Sequence, residues 1–241
     1  MRIAILADIH SNLAAFEAVL EHVNPFDQVW CLGDVVGYGP DPNECVERLR
    51  ELPHLCVAGN HDWASIGKLD TANFNREAAI AAHWTEETLT PQNRDYLLGL
   101  PERIVQDDFT IVHGSPRHPI WEYISHIFVA QPNFAHFDTQ FCLVGHTHIP
   151  VIFQETEPGR VQILPFEVGV PLPLGDKRLI INPGGVGQPR DGIPDASYAV
   201  LDTEARTITY HRVPYPIGET QSRMMEVGLP SRLIIRLSYG L

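Results

Sequence analysis

Apolar residues in this chain gather in short runs that stop abruptly at polar loops. Residues 2–7 are almost wholly apolar and then break at Asp8-Ile9-His10-Ser11-Asn12, which predicts a buried strand feeding a loop. Leu13, Phe16, Leu20 and Val23 follow at helical spacing, with Ser11 or Asn12 available as the N-cap. The same grammar repeats with a strand over 28–32, a glycine-rich loop over 33–41 and a helix over 42–52 that starts on proline. A third strand is expected over 54–58, followed by the loop Gly59-Asn60-His61-Asp62, an alanine-rich helix from about 74 to 89 and another from 91 to 100. Strands alternating with helices imply a parallel sheet.

From Phe109 onward the pattern shifts to short strands separated by Gly and Pro, over 109–112, 141–144, 151–155, 161–164, 179–181, 197–201 and 206–213. These suit a second, mixed sheet. The tail over 217–239 reads as helical with a break at Gly228-Leu229-Pro230. No repeat, low-complexity stretch or linker divides the chain, so residues 1–241 are expected to form one α/β domain.

The polar residues that end the apolar runs are of metal-binding type. Asp8 and His10 follow the first strand, Asp34 the second, Asn60 and His61 the third, and two later strands end in His113-Gly114 and Gly145-His146-Thr147-His148. Ligands of open α/β sheets gather at the carboxyl ends of strands, so these loops should converge on one crevice. Asp8, His10, Asp34, Asn60, His113, His146 and His148 are too many ligands for one ion and suit two that share a carboxylate, for which Asp34 is the candidate. A set without thiolate favours manganese, iron, zinc, nickel or cobalt over a closed structural zinc site, with manganese first.

Charge refines this picture. Lysine plus arginine number 17 against 30 acids, a formal charge of −13, which opposes loose association with nucleic acid or anionic membranes. Bound divalent ions would supply the positive charge that a phosphate substrate needs. The four cysteines form no CxxC pair and read as buried thiols. The opening decapeptide carries one basic residue and too short an apolar run for a signal peptide, and no stretch approaches a membrane span, which points to a cytoplasmic protein.

In this order the DxH, GDxxG, GNHD, HG and GHTH motifs resemble those of the calcineurin-like metallophosphoesterases. DIHSN, GDVVGYGPDPNEC, HGSPR, GHTHIP and NPGGVGQPRDG are similar to the small bacterial and archaeal phosphodiesterases of that superfamily. The resemblance implies a four-layer αββα sandwich with two mixed sheets. It implies that Asp8, His10, Asp34 and His148 hold one ion and Asp34, Asn60, His113 and His146 the other, with His61 beside them as a non-ligating catalytic group. Asp62 is expected either to orient His61 or to cap the turn after it. Asn12, Arg117 and Arg190 are the candidate substrate contacts, although the glycines before Arg190 also read as a tight turn between strands. The protein serine/threonine phosphatases carry GDxVDRG where Gly37-Tyr38-Gly39 follows Gly33-Asp34-Val35-Val36 here, so phosphoprotein substrates are disfavoured.

The expected activity is hydrolysis of a phosphodiester or small phosphoanhydride by in-line attack of a metal-bridging hydroxide, with His61 protonating the leaving oxygen. A dinucleoside polyphosphate hydrolase or a phosphomonoesterase would use the same centre, and a catalytically silent binding scaffold is the reading from another class. Self-association is left open by the sequence.

Overall fold

The computed structural model describes residues 1–241. In chain order the elements are β1 (Arg2–Leu6), α1 (Leu13–Val23), β2 (Gln28–Cys31), α2 (Pro42–Arg50), β3 (His54–Cys56), α3 (Asn60–Ala64), α4 (Arg76–Thr88), α5 (Pro91–Leu98), β4 (Arg103–Gln106) and β5 (Phe109–Val112). There follow α6 (Ile127–Asn133), β6 (Phe141–Leu143), β7 (Val151–Glu157), β8 (Arg160–Ile163), β9 (Leu172–Pro173), β10 (Arg178–Asn182), β11 (Ala196–Asp202), β12 (Thr207–Val213), α7 (Ile217–Glu226) and α8 (Ser231–Arg236). No helix is long and apolar enough to cross a membrane.

Two six-stranded mixed sheets face each other, in the orders β3-β2-β1-β11-β12-β9 and β4-β5-β6-β10-β7-β8. The period of two along each strand decides the layering. In β1 the side chains of Ala4 and Leu6 join the core under α1 and α2, while Ile3 and Ile5 enter the core between the sheets. In the second sheet Phe109, Ile111, Phe141 and Leu143 face the first sheet, while Val112, Cys142 and Ile180 turn outward to Ala130 of α6 and to Phe134 and Phe137. Helices, sheet, sheet and helix make four layers. Strands buried on both faces explain why the sequence shows continuous apolar runs, each large side chain contributing about 1.5–3 kcal/mol on burial. All four cysteines are buried and unpaired.

Each sheet contains a parallel trio. β1, β2 and β3 run together in the first, and β5, β6 and β10 in the second. Their carboxyl ends point to the same edge of the sandwich, where the loops meet. The helical tail is not peripheral to that edge. Thr220 of α7 donates to Asn12 Oδ1 at 2.9 Å, Arg223 pairs with the buried carboxylate of Asp41, and Met224, Leu233 and Leu237 pack on Tyr38 in a fourth core.

Four elements are absent from the sequence reading. β4 alternates with exposed positions at an edge, β9 has only two residues, α6 carries Pro132 inside its last turn, and the short α3 stands where a loop was expected. The glycines over 184–187 do more than turn the chain. Gly187 N donates to Asp8 O at 2.9 Å, and a Cβ on Gly187 would fall 1.8 Å from Ile9 O. The segment between β10 and β11 is thereby pressed onto the loop that follows β1.

Candidate metal centre

The seven predicted ligands come together, all buried. His10 Nε2 lies 3.2 Å from His148 Nε2, and His148 Nε2 lies 3.3 Å from Asp8 Oδ1. On the other side His113 Nε2 lies 3.0 Å from His146 Nδ1 and 3.1 Å from Asn60 Oδ1. Asp34 Oδ2 stands between the two groups, 3.6 Å from His10 Nε2 and 3.3 Å from His113 Nε2. That oxygen is buried and has no hydrogen-bond partner.

Local backbone geometry aims these groups. Asp8, His10, Asp34, His146 and His148 all have positive φ, between 50° and 66°. Aspartate and histidine are among the few side chains that enter the left-handed region with any frequency, and residues held there cluster at functional sites. Hydrogen bonds between loops hold the conformation in place: His10 N to Asp34 O at 2.9 Å, Ser11 N to Val35 O at 2.9 Å and Gly145 N to His113 O at 2.7 Å. Asp62 contributes most. Its carboxylate accepts from the backbone N–H of Asp34, Val36 and Gly59 at 2.8, 3.1 and 2.9 Å, which ties the second ligand loop to the third.

Each imidazole also has its tautomer fixed by the backbone. His10, His113 and His148 place Nδ1 against the carbonyls of Val36, Leu32 and Gln188 at 3.2, 2.8 and 2.6 Å, and His146 places Nε2 against Trp121 O at 3.2 Å. A nitrogen facing a carbonyl must carry the proton, so the opposite nitrogen presents its lone pair to the centre. With all four rings in the neutral form that ligates, converging lone pairs and an orphaned carboxylate oxygen repel one another unless cations lie between them. The donor set fits two divalent ions, one near Asp8, His10 and His148 and one near Asp34, His113 and His146.

Burial holds His10, His146 and His148 neutral, the form that ligates. It pushes the Asp8 carboxyl up, a cost that Asp34 nearby increases. Burial would also lower His113, but the Asp34 carboxylate outweighs it and holds the imidazole up at about 9. Metal uptake must therefore release a proton from this pair.

His61 sits beside the cluster in a slot of rings. Its centroid is 4.2 Å from Tyr38, 4.8 Å from Phe74 and 4.9 Å from His10, its Nδ1 is buried without a partner, and burial lowers its pKa to about 4. Arg190 lies next to His148, with its Cζ 5.7 Å from the centre of the Tyr38 ring and its Nε buried and unpaired. Tyr123, half exposed, stacks on His146 at 3.7 Å. Asn12 is occupied within the fold, capping α1 through Ala15 N and donating to Gly187 O. The Arg117 guanidinium is committed to Glu122, whose carboxylate also accepts from Ser115 and Asn133. Burial pushes that carboxyl up, but these donors prevail and bring it down to about 2.

Tyr38 and Phe74 are site residues that the sequence alone did not single out, whereas Tyr123 belongs to the aromatic stretch between Trp121 and Phe137, whose expected role was packing or stacking on a base. Only Gly37-Tyr38-Gly39 carried a signal, because Gly37 at φ +94° leaves room for His61, whose Nδ1 would lie 2.7 Å from an added Cβ.

Such a sandwich, with histidines and carboxylates gathered at the strand ends, defines a metallophosphoesterase. The chain belongs to the calcineurin-like phosphoesterase superfamily, whose domain model matches residues 1–206. The crystal structure of a metallophosphoesterase from Sphaerobacter thermophilus is 49% identical, superposes with a TM-score of 0.92 and covers 100% of this chain and 99% of that one. An uncharacterized protein of Methanocaldococcus jannaschii is 40% identical across 99% of this chain and 98% of its own length. A symmetrical bis(5'-nucleosyl)-tetraphosphatase of Pseudomonas syringae is 32% identical over 43% of this chain and 36% of its own. The family hydrolyses phosphate esters with divalent metals.

Gly59 tests how tightly the centre is built. A Cβ there would lie 2.0 Å from Asp34 Oδ1 and 2.5 Å from Asp34 N, in a backbone conformation open to any residue. Gly59→Ala must displace Asp34, at a cost of about 1–3 kcal/mol in stability. We expect metal content to fall with it. A variant that keeps wild-type metal stoichiometry would show that the Asp34 position tolerates more movement than this packing implies.

Proposed function

We propose that this protein is a dinuclear metal-dependent phosphodiesterase acting on small phosphodiesters or phosphoanhydrides. The observation that carries the reading is the buried, unpartnered Asp34 Oδ2 between two clusters of imidazole lone pairs, the position of a bridging carboxylate. Asp8, His10, Asp34 and His148 would hold one ion, and Asp34, Asn60, His113 and His146 the other. When bound, the pair of ions supplies charge for the phosphoryl oxygens and makes water acidic enough to act as hydroxide near neutral pH.

The chain's own residues do the rest. His61, which spends no ring hydrogen bond on the fold through its buried Nδ1, holds the proton that passes to the departing oxygen. Burial keeps the ring neutral in the free protein, and an anionic phosphate beside it restores the proton. Asp62 is a positioning residue that acts through the backbone of Asp34 and Gly59. Arg190, charged and incompletely paired, takes a phosphate oxygen. Asn12 and Arg117 act indirectly, by fixing the loop of His10 and the segment after His113.

Partial similarity to the tetraphosphatase favours a second reading, hydrolysis of dinucleoside polyphosphates at the same centre. Phosphomonoesters and a silent scaffold are the remaining alternatives, and the complete ligand set argues against the scaffold. Manganese is the first choice of metal and the cytoplasm the proposed compartment.

A panel of diesters, monoesters, cyclic nucleotides and dinucleoside polyphosphates, assayed with manganese, ranks these readings. Chelation should abolish turnover and lower the melting temperature, because ions bound only by the folded state stabilise it by about 2.7 kcal/mol at 100 times their Kd. A folded, metal-loaded protein that turns over nothing in the panel would leave the scaffold as the better account.

A further inference from the structure

Residues 113–126 cross from β5 to α6 with no strand or helix between them, and a loop of that length in a compact domain is usually functional. Its backbone hydrogen bonds over 114–122 stay within the stretch, where Gly114 N donates to Pro119 O and both Trp121 N and Glu122 N donate to His118 O. A Cβ on Gly114 would lie 3.0 Å from the nitrogens of Trp121 and Glu122, so the loop is folded tightly on itself. Its outward hydrogen bonds come from side chains.

This loop fixes His146. Trp121 O stands 3.2 Å from His146 Nε2, and the Tyr123 ring stacks on the same imidazole with 3.7 Å between centroids and 24° between planes. One contact sets the direction in which the ring points and the other sets its plane. Together they aim Nδ1 at the group formed with Asp34 and His113. Between Trp121 and Tyr123 lies Glu122, whose carboxylate accepts from Ser115 Oγ and Asn133 Nδ2, both at 2.7 Å, and from the Arg117 guanidinium. Asn133 is the buried last residue of α6 and takes Arg117 N on its Oδ1 at 3.1 Å. The helix is itself packed through Ala130 on Val112 and Cys142 of the second sheet. Glu122 thus joins the support of His146 to a rigid layer.

The other three imidazoles have no such dependence. Their orienting carbonyls belong to segments tied to β1 or its loop by main-chain hydrogen bonds: Ser11 N to Val35 O at 2.9 Å, Leu32 N to Leu6 O at 2.8 Å and Gly187 N to Asp8 O at 2.9 Å.

We propose that Glu122 is a positioning residue for the metal centre, which fixes His146 through the Trp121 carbonyl and the Tyr123 ring and so sets the affinity of the ion at Asp34, His113 and His146 alone. The ion at Asp8, His10 and His148 is supported independently. The inference rests on the dinuclear reading and gives the two ions separate supports.

The test titrates the metal-free full chain with manganese, for wild type, Glu122→Ala, Glu122→Gln and Ile180→Val. Ile180 lies in the core under α6, and its truncation measures the effect of plain destabilisation in the same layer. Loss of an outer partner of a ligand typically costs about 10- to 100-fold in metal affinity, and Glu122 acts one step further out, so Glu122→Ala should weaken one ion by about tenfold and leave the other unchanged. The magnetic-resonance spectrum of a coupled manganese pair should give way to that of an isolated ion. At manganese concentrations between the two affinities, anomalous scattering from crystals of the variant should keep the peak beside Asp8, His10 and His148 and lose the one beside His113 and His146. Glu122→Gln retains an oxygen for Ser115 or Asn133 and should recover part of the loss. It carries the same test if the alanine variant does not fold. Ile180→Val should bind both ions as wild type does. Wild-type affinity for both ions in the folded Glu122 variants, or equal weakening of both, would make the contacts of Glu122 purely structural and overturn the inference. The same selective loss in Ile180→Val would also overturn it. A wild-type chain that takes up one ion or none would overturn the dinuclear reading and the inference with it.

Discussion

Asp34→Asn is expected to empty the centre of metal and to reduce hydrolysis to background while the fold survives. The substitution keeps the size of the side chain and an oxygen for the His61 N–H, which Asp34 Oδ1 accepts at 2.8 Å. It removes the charge from the oxygen that faces both imidazole clusters. Loss of a partner outside the ligand set typically costs 10–100-fold in metal affinity, and a shared ligand should cost more than about 100-fold. Elemental analysis of protein equilibrated with manganese, with a melting curve on the same sample, reads both effects. Two ions retained per chain in this variant would place the bridge elsewhere and dissolve the argument from the orphaned oxygen.

His61→Ala should keep both metals and lose activity in proportion to how poor the leaving group is. The ring directly follows the ligand Asn60, is held by Tyr38 and Phe74, and makes no hydrogen bond through Nδ1. It is therefore held beside the cluster by packing and spends no hydrogen bond on the fold through that nitrogen. Delivery of a proton to the leaving oxygen is typically worth about 10² to 10⁴ in rate. Aryl esters with acidic alcohols need little of it, whereas alkyl and nucleoside esters need nearly all. Steady-state rates across such a series, with metal content measured alongside, decide the matter. A uniform loss across the series would assign His61 to charge stabilisation or positioning, and a loss of metal would make it a ligand.

Much of this centre was legible because its parts are local. A buried strand followed at once by Asp, His or Asn is a pattern carried within a few residues, and it recurs at Asp8, Asp34, Asn60, His113 and His146. The elements that sequence missed fail that condition. β4 shows exposed residues on alternate positions and gains its place only by pairing with β5, and Pro132 argues locally against α6. Asp62 is instructive. Its sequence position suggested a partner for His61 or a turn cap, and its carboxylate does cap α3 through Gly59 N, but it also reaches back to Asp34 and Val36, a connection made only when the loops meet. The same holds for the tail, whose helical pattern was plain while its contacts to Asn12, Tyr38 and Asp41 span most of the chain.

The four imidazoles are oriented by main-chain carbonyls rather than by acidic side chains. A carbonyl is present whatever residue occupies Val36, Leu32, Gln188 or Trp121, so point substitutions at those positions leave the orienting acceptor in place. The rim differs, since Tyr38, Phe74, Tyr123 and Arg190 act through their side chains alone. Inheritance can therefore vary the rim residue by residue while the orientation of the imidazoles is passed on unchanged. Relatives of this protein should diverge in what they hydrolyse long before they diverge in how they hold their metals.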